Sequence, residues 1–106
     1  MKRYQFETMK GGWFVGDFQP TAFRTGAAEV SYKRHAKGEA WPKHYHAVAT
    51  EINLLVEGRM RIADQTFQAG DIFVMEPGEV ADPEFLDECE LVVVKVPSMP
   101  NDKYIV

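Results

Sequence analysis

Hydrophobic and polar positions along the chain fall into short runs that glycine and proline interrupt repeatedly. In the central region these interruptions include Gly38, Pro42, Gly58 and Gly70. The longest interval without them, residues 43–57, is rich in β-branched and aromatic residues, which favour strands. Several short runs separated by turn signals predict an all-β sandwich or barrel, with little room for a long helix.

The runs predict strands over residues 27–36, 43–48, 51–56, 60–62, 72–75 and 91–96. Alternation within the first strand predicts that Tyr32 and Arg34 face the mouth of the barrel, and it leaves His35 on the solvent side. Lys95 interrupts the last, otherwise apolar strand. We expect a lysine at that position to lie at a sheet edge, where it would prevent further strand addition.

The first 25 residues form an aromatic segment in which Trp13, Phe14, Phe18 and Phe23 are interrupted by glycine and proline. We expect this segment, residues 1–25, to pack as an edge strand or as a cover. The sequence shows no internal repeat, low-complexity tract or linker, so we predict a single domain over residues 1–106.

Composition narrows the class of protein. The chain has 106 residues, of which 45% are hydrophobic, so it can bury a modest core without disulfides. Its single cysteine, Cys89, excludes an internal disulfide and a structural zinc site built from several cysteines. The net charge of −4 argues against a surface that follows nucleic-acid phosphates, so we expect no nucleic-acid partner.

The sequence also bears on location and assembly. No apolar run is long enough to span a membrane, and the N-terminal residues lack the apolar stretch of a secretory signal. We therefore expect a soluble, cytoplasmic protein without a membrane partner. The aromatic N-terminal segment predicts a homodimer, because pairing with a second subunit would cover a strand edge.

Candidate chemistry concentrates at two closely spaced histidines. His44 and His46 fall on one face of a strand, where two imidazoles can converge on one metal ion. Glu51 has the opposite parity, so it joins them only if the chain bends or bulges within residues 47–50. With such a bend, Asn53 shares the face of Glu51 and becomes a second polar group of the pocket.

Two further residues are candidates for substrate binding beside Asn53. Arg34 at the barrel mouth would suit a carboxylate or a phosphate on a ligand, and Tyr32 lies on the same predicted face. A solvent-facing ion pair is the alternative interpretation of Arg34.

The histidines and the glutamate carry a resemblance to a known family. The spacing Gly38-x5-His44-x-His46-x4-Glu51-x6-Gly58 matches the first motif of the cupin superfamily at every fixed position. The resemblance implies a small antiparallel β-barrel of the jelly-roll type, also called a double-stranded β-helix, with the motif residues lining its interior.

The second cupin motif, Gly-x5-Pro-x-Gly-x2-His-x3-Asn, is present only in part. Gly70 and Gly78 have the expected separation, whereas the proline falls one place late, at Pro77. Ala81 stands where the motif has its histidine, and Phe85 stands where it has asparagine. An alanine has no atom that can bind a metal, so the fourth ligand position of the family is lost.

The two motifs together occupy residues 38–85. Cupins with the full set hold a divalent metal through three histidines and the glutamate, so the resemblance implies a reduced ligand set of His44, His46 and Glu51. Two histidines and one carboxylate suit Fe, Mn, Zn or Ni and leave coordination positions open. Asp82 is an additional candidate ligand if its strand is shifted by one residue.

The resemblance implies a metal-dependent enzyme that acts on a small polar molecule as an oxygenase, isomerase or lyase. One alternative is a non-catalytic module that binds a sugar or a carboxylate, with or without metal. Another is metal-free acid–base catalysis by His44 or His46, as in the sugar-nucleotide epimerases of the superfamily. No partner residue for such a histidine is identifiable in the sequence.

Overall fold

Ten short strands and one 3-10 turn make up the regular structure of the chain, which a computed structural model describes over residues 1–106. The strands are β1 (Trp13–Val15), β2 (Glu29–His35), β3 (His44–Tyr45), β4 (Thr50–Glu57), β5 (Arg59–Ile62), β6 (Gln65–Gln68), β7 (Ile72–Met75), β8 (Glu84–Phe85), β9 (Cys89–Val96) and β10 (Tyr104–Ile105). The 3-10 turn covers Phe6–Thr8. No helix of the structure has the length and apolar character that crossing a membrane requires.

The strands form three antiparallel sheets. The largest has the order β1-β2-β9-β4-β7, the second β6-β5-β8, and the third pairs β10 with β3. The N-terminal segment contributes β1, which lies at one edge of the large sheet. This arrangement confirms the all-β jelly-roll fold that the sequence predicts.

The core lies between the large sheet and the sheet centred on β5. Its buried residues are Leu55, Met60, Ile62, Ala81, Phe85, Cys89, Leu91 and Val93. The predicted tight turn between β4 and β5 is present at Gly58, where φ is +89°. A Cβ atom there would lie 2.3 Å from the carbonyl oxygen of Glu88, so the turn requires glycine.

The inner and outer faces of β2 are the reverse of those predicted. Arg34 points outward, with 69% of its side chain exposed, and pairs with Glu90, whereas the side chain of His35 points inward and is 11% exposed. The prediction was wrong because both faces of this sheet carry aliphatic residues. The outer face includes the half-buried Val30 and Val92, so alternation of hydrophobicity does not identify the inner face.

Candidate functional site

A cavity of about 270 Å³ lies between the sheets. The polar and charged residues that line it are Lys33, His35, His44, His46, Glu51, Asn53, Lys95 and Lys103. Aliphatic and aromatic side chains make up the rest of its wall. Four of the sequence candidates, His44, His46, Glu51 and Asn53, therefore share one cavity, whereas Tyr32 and Arg34 lie outside it.

A bend between β3 and β4 brings the glutamate to the side of the histidines. The Asp102 carboxylate accepts hydrogen bonds from the backbone N–H groups of residues 47–49, at distances of 2.9, 3.1 and 2.9 Å. The bend resets the strand alternation, so Glu51 lines the cavity together with His44 and His46. The sequence predicts a bend at this place, but it does not indicate that Asp102 holds it.

Backbone carbonyls fix the orientation of both imidazoles. Nδ1 of His44 lies 2.8 Å from the carbonyl oxygen of Pro42, and Nδ1 of His46 bonds the carbonyl oxygen of Asp102. A carbonyl can only accept a hydrogen bond, so each Nδ1 carries the hydrogen and Nε2 of the neutral ring is left as an acceptor. Burial lowers the pKa of His44, and the nearby Lys103 ammonium lowers it further, so this ring favours the neutral form.

The His46 ring and the Glu51 carboxylate face each other. Nε2 of His46 lies 3.6 Å from Oε1 of Glu51, and Nδ2 of Asn53 donates to Oε2 of Glu51 at 3.3 Å. Two ligands that each lie about 2.1 Å from one metal ion can be up to about 4.2 Å apart, so this pair has a separation suited to a shared ion.

The histidine rings are also close, with centroids 5.4 Å apart. No three His, Cys, Asp or Glu side chains converge tightly enough to form a preformed ion site. The donor types and the orientation of both imidazoles nevertheless fit a divalent ion, because metal-binding histidines characteristically donate their other ring N–H to a fixed acceptor.

The fourth ligand position of the second motif is filled by an alanine that lines the cavity. Ala81 pairs with His44 through two backbone hydrogen bonds of 2.8 and 2.9 Å. This bridge directs Ala81 inward and leaves Asp82 exposed on the outside. The one-residue shift that would make Asp82 a ligand is therefore not present.

Lys95 lies in the interior of the large sheet and not at its edge, where the sequence predicts it. It lies in β9, between β2 and β4, so the prediction of an edge lysine is wrong. Its Nζ lies 3.9 Å from Glu29 and 4.0 Å from Glu51, the residues directly opposite it on the two neighbouring strands. The signal that could have located it inside is its parity with Leu91 and Val93.

His35 is a second residue that the sequence placed on the wrong side. Its Nδ1 donates to Glu39 at 2.5 Å, its ring stacks on Phe85, and Trp41 packs edge-on against it. Trp41 also donates to the same carboxylate at 2.7 Å. Hydrogen bonds from Trp41 and His35 lower the pKa of Glu39, which keeps this carboxylate ionised.

The fold and the cavity together define a cupin, in which inward-facing histidines and a glutamate line a double-stranded β-helix. Comparison with family models supports this class: the model of the ChrR cupin-like domain matches residues 21–100, and the chain belongs to this family. A comparison with curated proteins found no match.

Solved structures share the fold at low sequence identity. An uncharacterised protein with a double-stranded β-helix domain from Klebsiella pneumoniae has a TM-score of 0.70 and 19% identity, over 77% of this chain and 72% of that one. The DMSP lyase DddQ from Ruegeria pomeroyi has a TM-score of 0.72 and 13% identity, over 98% of this chain and 59% of that one. An oxalate oxidase in complex with glycolate has a TM-score of 0.62 and 20% identity, over 74% of this chain and 46% of that one.

Proposed function

We propose that the cavity is a metal-dependent site for a small molecule, in which His44, His46 and Glu51 hold a divalent ion. The observation that carries this proposal is the orientation of the two imidazoles: backbone carbonyls occupy both Nδ1 atoms and leave both Nε2 atoms as acceptors. The ion would be Fe, Mn, Zn or Ni, because two imidazoles and one carboxylate suit each of these.

Such an ion would act as a Lewis acid toward an oxygen of the substrate, with coordination positions left open beside the three side chains. Asn53, 5% exposed and bonded to Glu51, orients that carboxylate and offers its amide to a substrate. These features suit an oxygenase, an isomerase or a lyase, and the DMSP lyase and the oxalate oxidase among the structural neighbours support the proposal of an enzyme.

Elemental analysis tests the metal proposal directly. We expect protein purified without a metal-affinity tag to contain close to one divalent ion per chain, and the His44→Ala variant to lose it. His35→Ala is the matched control, because His35 lines the same cavity without being a proposed ligand. Equal metal content in wild type and His44→Ala would overturn the proposal, and a sub-stoichiometric content in both would favour a small-ligand binding protein without metal.

A second candidate function is acid–base catalysis without metal. The observation that favours it is the contact between His35 and Glu39, since a carboxylate that accepts from Nδ1 orients a histidine for proton transfer at Nε2. Turnover of a candidate substrate after treatment with EDTA, lost in His35→Gln and retained in His44→Ala, would favour this function over the first.

Assembly and location remain predictions from the sequence. For a homodimer, sedimentation velocity at micromolar concentration should report twice the chain mass of 12.1 kDa, and a stable monomer would contradict the prediction. A cytoplasmic location would be tested by fractionating cells of the source organism.

A further inference from the structure

The cavity contains more positive than negative side chains. Lys33, Lys95 and Lys103 line it, and Glu51 is the one carboxylate that does so. Lys95 is paired with Glu51 and with Glu29 on the neighbouring strand, whereas Lys33 and Lys103 have no carboxylate within 4.0 Å. The chain therefore supplies two ammonium groups at the cavity that form no salt bridge, and Glu51 is the one carboxylate of the cavity that acts on their charge.

Aromatic rings hold these ammonium groups. The Nζ atoms of Lys33 and Lys95 lie 4.8 and 4.9 Å from the centre of the Trp13 ring, and Nζ of Lys103 lies 4.4 Å from the Trp41 ring. Lys33 also donates to the carbonyl oxygen of Gly11 at 2.6 Å. These contacts place all three ammonium groups beside aromatic rings that line the cavity, and the side chain of Lys103 also remains exposed to solvent.

The three charges are close enough to act on one another. Burial lowers the pKa of Lys33, and Lys95 and Lys103 lower it further; partial burial and Lys95 likewise lower the pKa of Lys103. Like charges held close together are stabilised when an anion enters between them.

Part of the cavity wall is apolar. Met60, Ile62, Phe85 and Leu91, all nearly fully buried, form part of its wall. A volume of about 270 Å³ is slightly below the usual range of pockets for drug-sized ligands, so an occupant must be small.

We propose that the ligand of this cavity is a small carboxylic acid with an apolar body, whose carboxylate is received by Lys33, Lys95 and Lys103. The apolar body would pack against the wall that includes Met60 and Phe85. This inference rests on the proposed function, because the same cavity holds His44 and Glu51, and it adds the chemical class of the molecule that the site takes.

Calorimetric titration with benzoate and benzamide separates the contribution of the negative charge to binding affinity from that of the apolar ring, because the two compounds share the ring and differ in charge. We expect benzoate to bind at least about tenfold more tightly than its neutral counterpart, and to bind more weakly in 0.5 M salt. Equal affinities for the two compounds would overturn the proposal. Inorganic phosphate that binds as well as benzoate would also overturn it, since the apolar wall would then contribute nothing.

Variants locate the binding site. Lys103→Met should weaken benzoate binding about tenfold, because one charge-assisted contact is lost, whereas the exposed Lys37→Met is the matched control and should leave it unchanged. Lys95→Arg keeps the charge between Glu29 and Glu51 and should retain binding. Equal behaviour of Lys103→Met and Lys37→Met would assign benzoate to another place and contradict the proposal.

The titrations are run on protein as purified and again after EDTA treatment. Binding that survives EDTA and depends on Lys103 supports the lysine site whether or not the metal analysis succeeds. Binding that disappears with EDTA and is unaffected by Lys103→Met would attribute the carboxylate to the metal alone, which overturns this inference while leaving the metal proposal intact.

Discussion

Asp102 supports His46 in two ways: its backbone carbonyl binds the His46 ring, and its side chain binds the chain segment that follows His46. Its carbonyl oxygen accepts the Nδ1 hydrogen of His46, and its carboxylate accepts three N–H groups of the bend that follows His46. The two residues are 56 positions apart in the sequence, so a segment far from either motif fixes both the ring of one candidate ligand and the facing of Glu51.

Loss of the Asp102 charge should weaken both the fold and the site. We expect Asp102→Asn to lower the free energy of unfolding by about 2 kcal/mol, because the hydrogen bonds of the bend lose their ionised acceptor. Metal affinity should fall by about tenfold or more, as is usual when a supporting contact of a ligand is removed. Chemical denaturation and metal titration measure the two effects. The exposed Asp82→Asn is the control and should match wild type in both.

Because the Asp102 carboxylate stabilises the bend in its ionised form, we expect the free energy of unfolding to depend on pH in the acid range. Burial acts to raise the pKa of Asp102, but the N–H groups of residues 47–49 outweigh it and the pKa lies below its ordinary value of 3.8. A group with a depressed folded-state pKa contributes its full stability above its ordinary value and loses it as the pH falls through the folded value. The difference in unfolding free energy between wild type and Asp102→Asn should therefore be constant above about pH 5 and shrink below pH 3.8. A difference that stays constant down to pH 2 would contradict this prediction.

Restoring the missing histidine should strengthen the metal site. Ala81 lines the cavity and is tied to His44 by two backbone hydrogen bonds, so a side chain at this position points toward the candidate ligands. We expect Ala81→His to raise metal affinity by about tenfold or more, equivalent to about 1.4 kcal/mol. Competition with a chelator measures the change. Ala81→Leu, which adds bulk without a ligand atom, should give no increase, and an equal gain in both variants would rule out coordination.

Neighbouring leucines of β4 test the assignment of its faces. Leu55 is completely buried, and its replacement by alanine should cost about 2–5 kcal/mol because it leaves a cavity in the core. Leu54 is 36% exposed on the opposite face, so Leu54→Ala should cost less than about 1 kcal/mol. Denaturant unfolding of the two variants side by side measures the contrast, and similar losses would mean that the faces are assigned incorrectly.

The sequence predicts the fold and the placement of His44, His46 and Glu51 in one cavity better than it predicts the rest of the cavity wall. Glycine and proline punctuation and the first motif are local signals, and they locate the turn at Gly58 and the bend before Glu51 correctly. Which face of β2 turns inward depends instead on what packs against each side of the sheet, so His35 was assigned to the wrong face. Lys95 was misjudged for a related reason, because whether a strand lies at an edge is a property of the strand order and not of the strand itself.

Both tryptophans of the chain, Trp13 and Trp41, line the cavity, and each has a lysine ammonium over its ring. Indole emission responds to nearby charge and to contact with water, so all of the tryptophan fluorescence of this protein originates beside the candidate site. Binding of metals or small acids can therefore be screened on the unlabelled protein by following its tryptophan fluorescence.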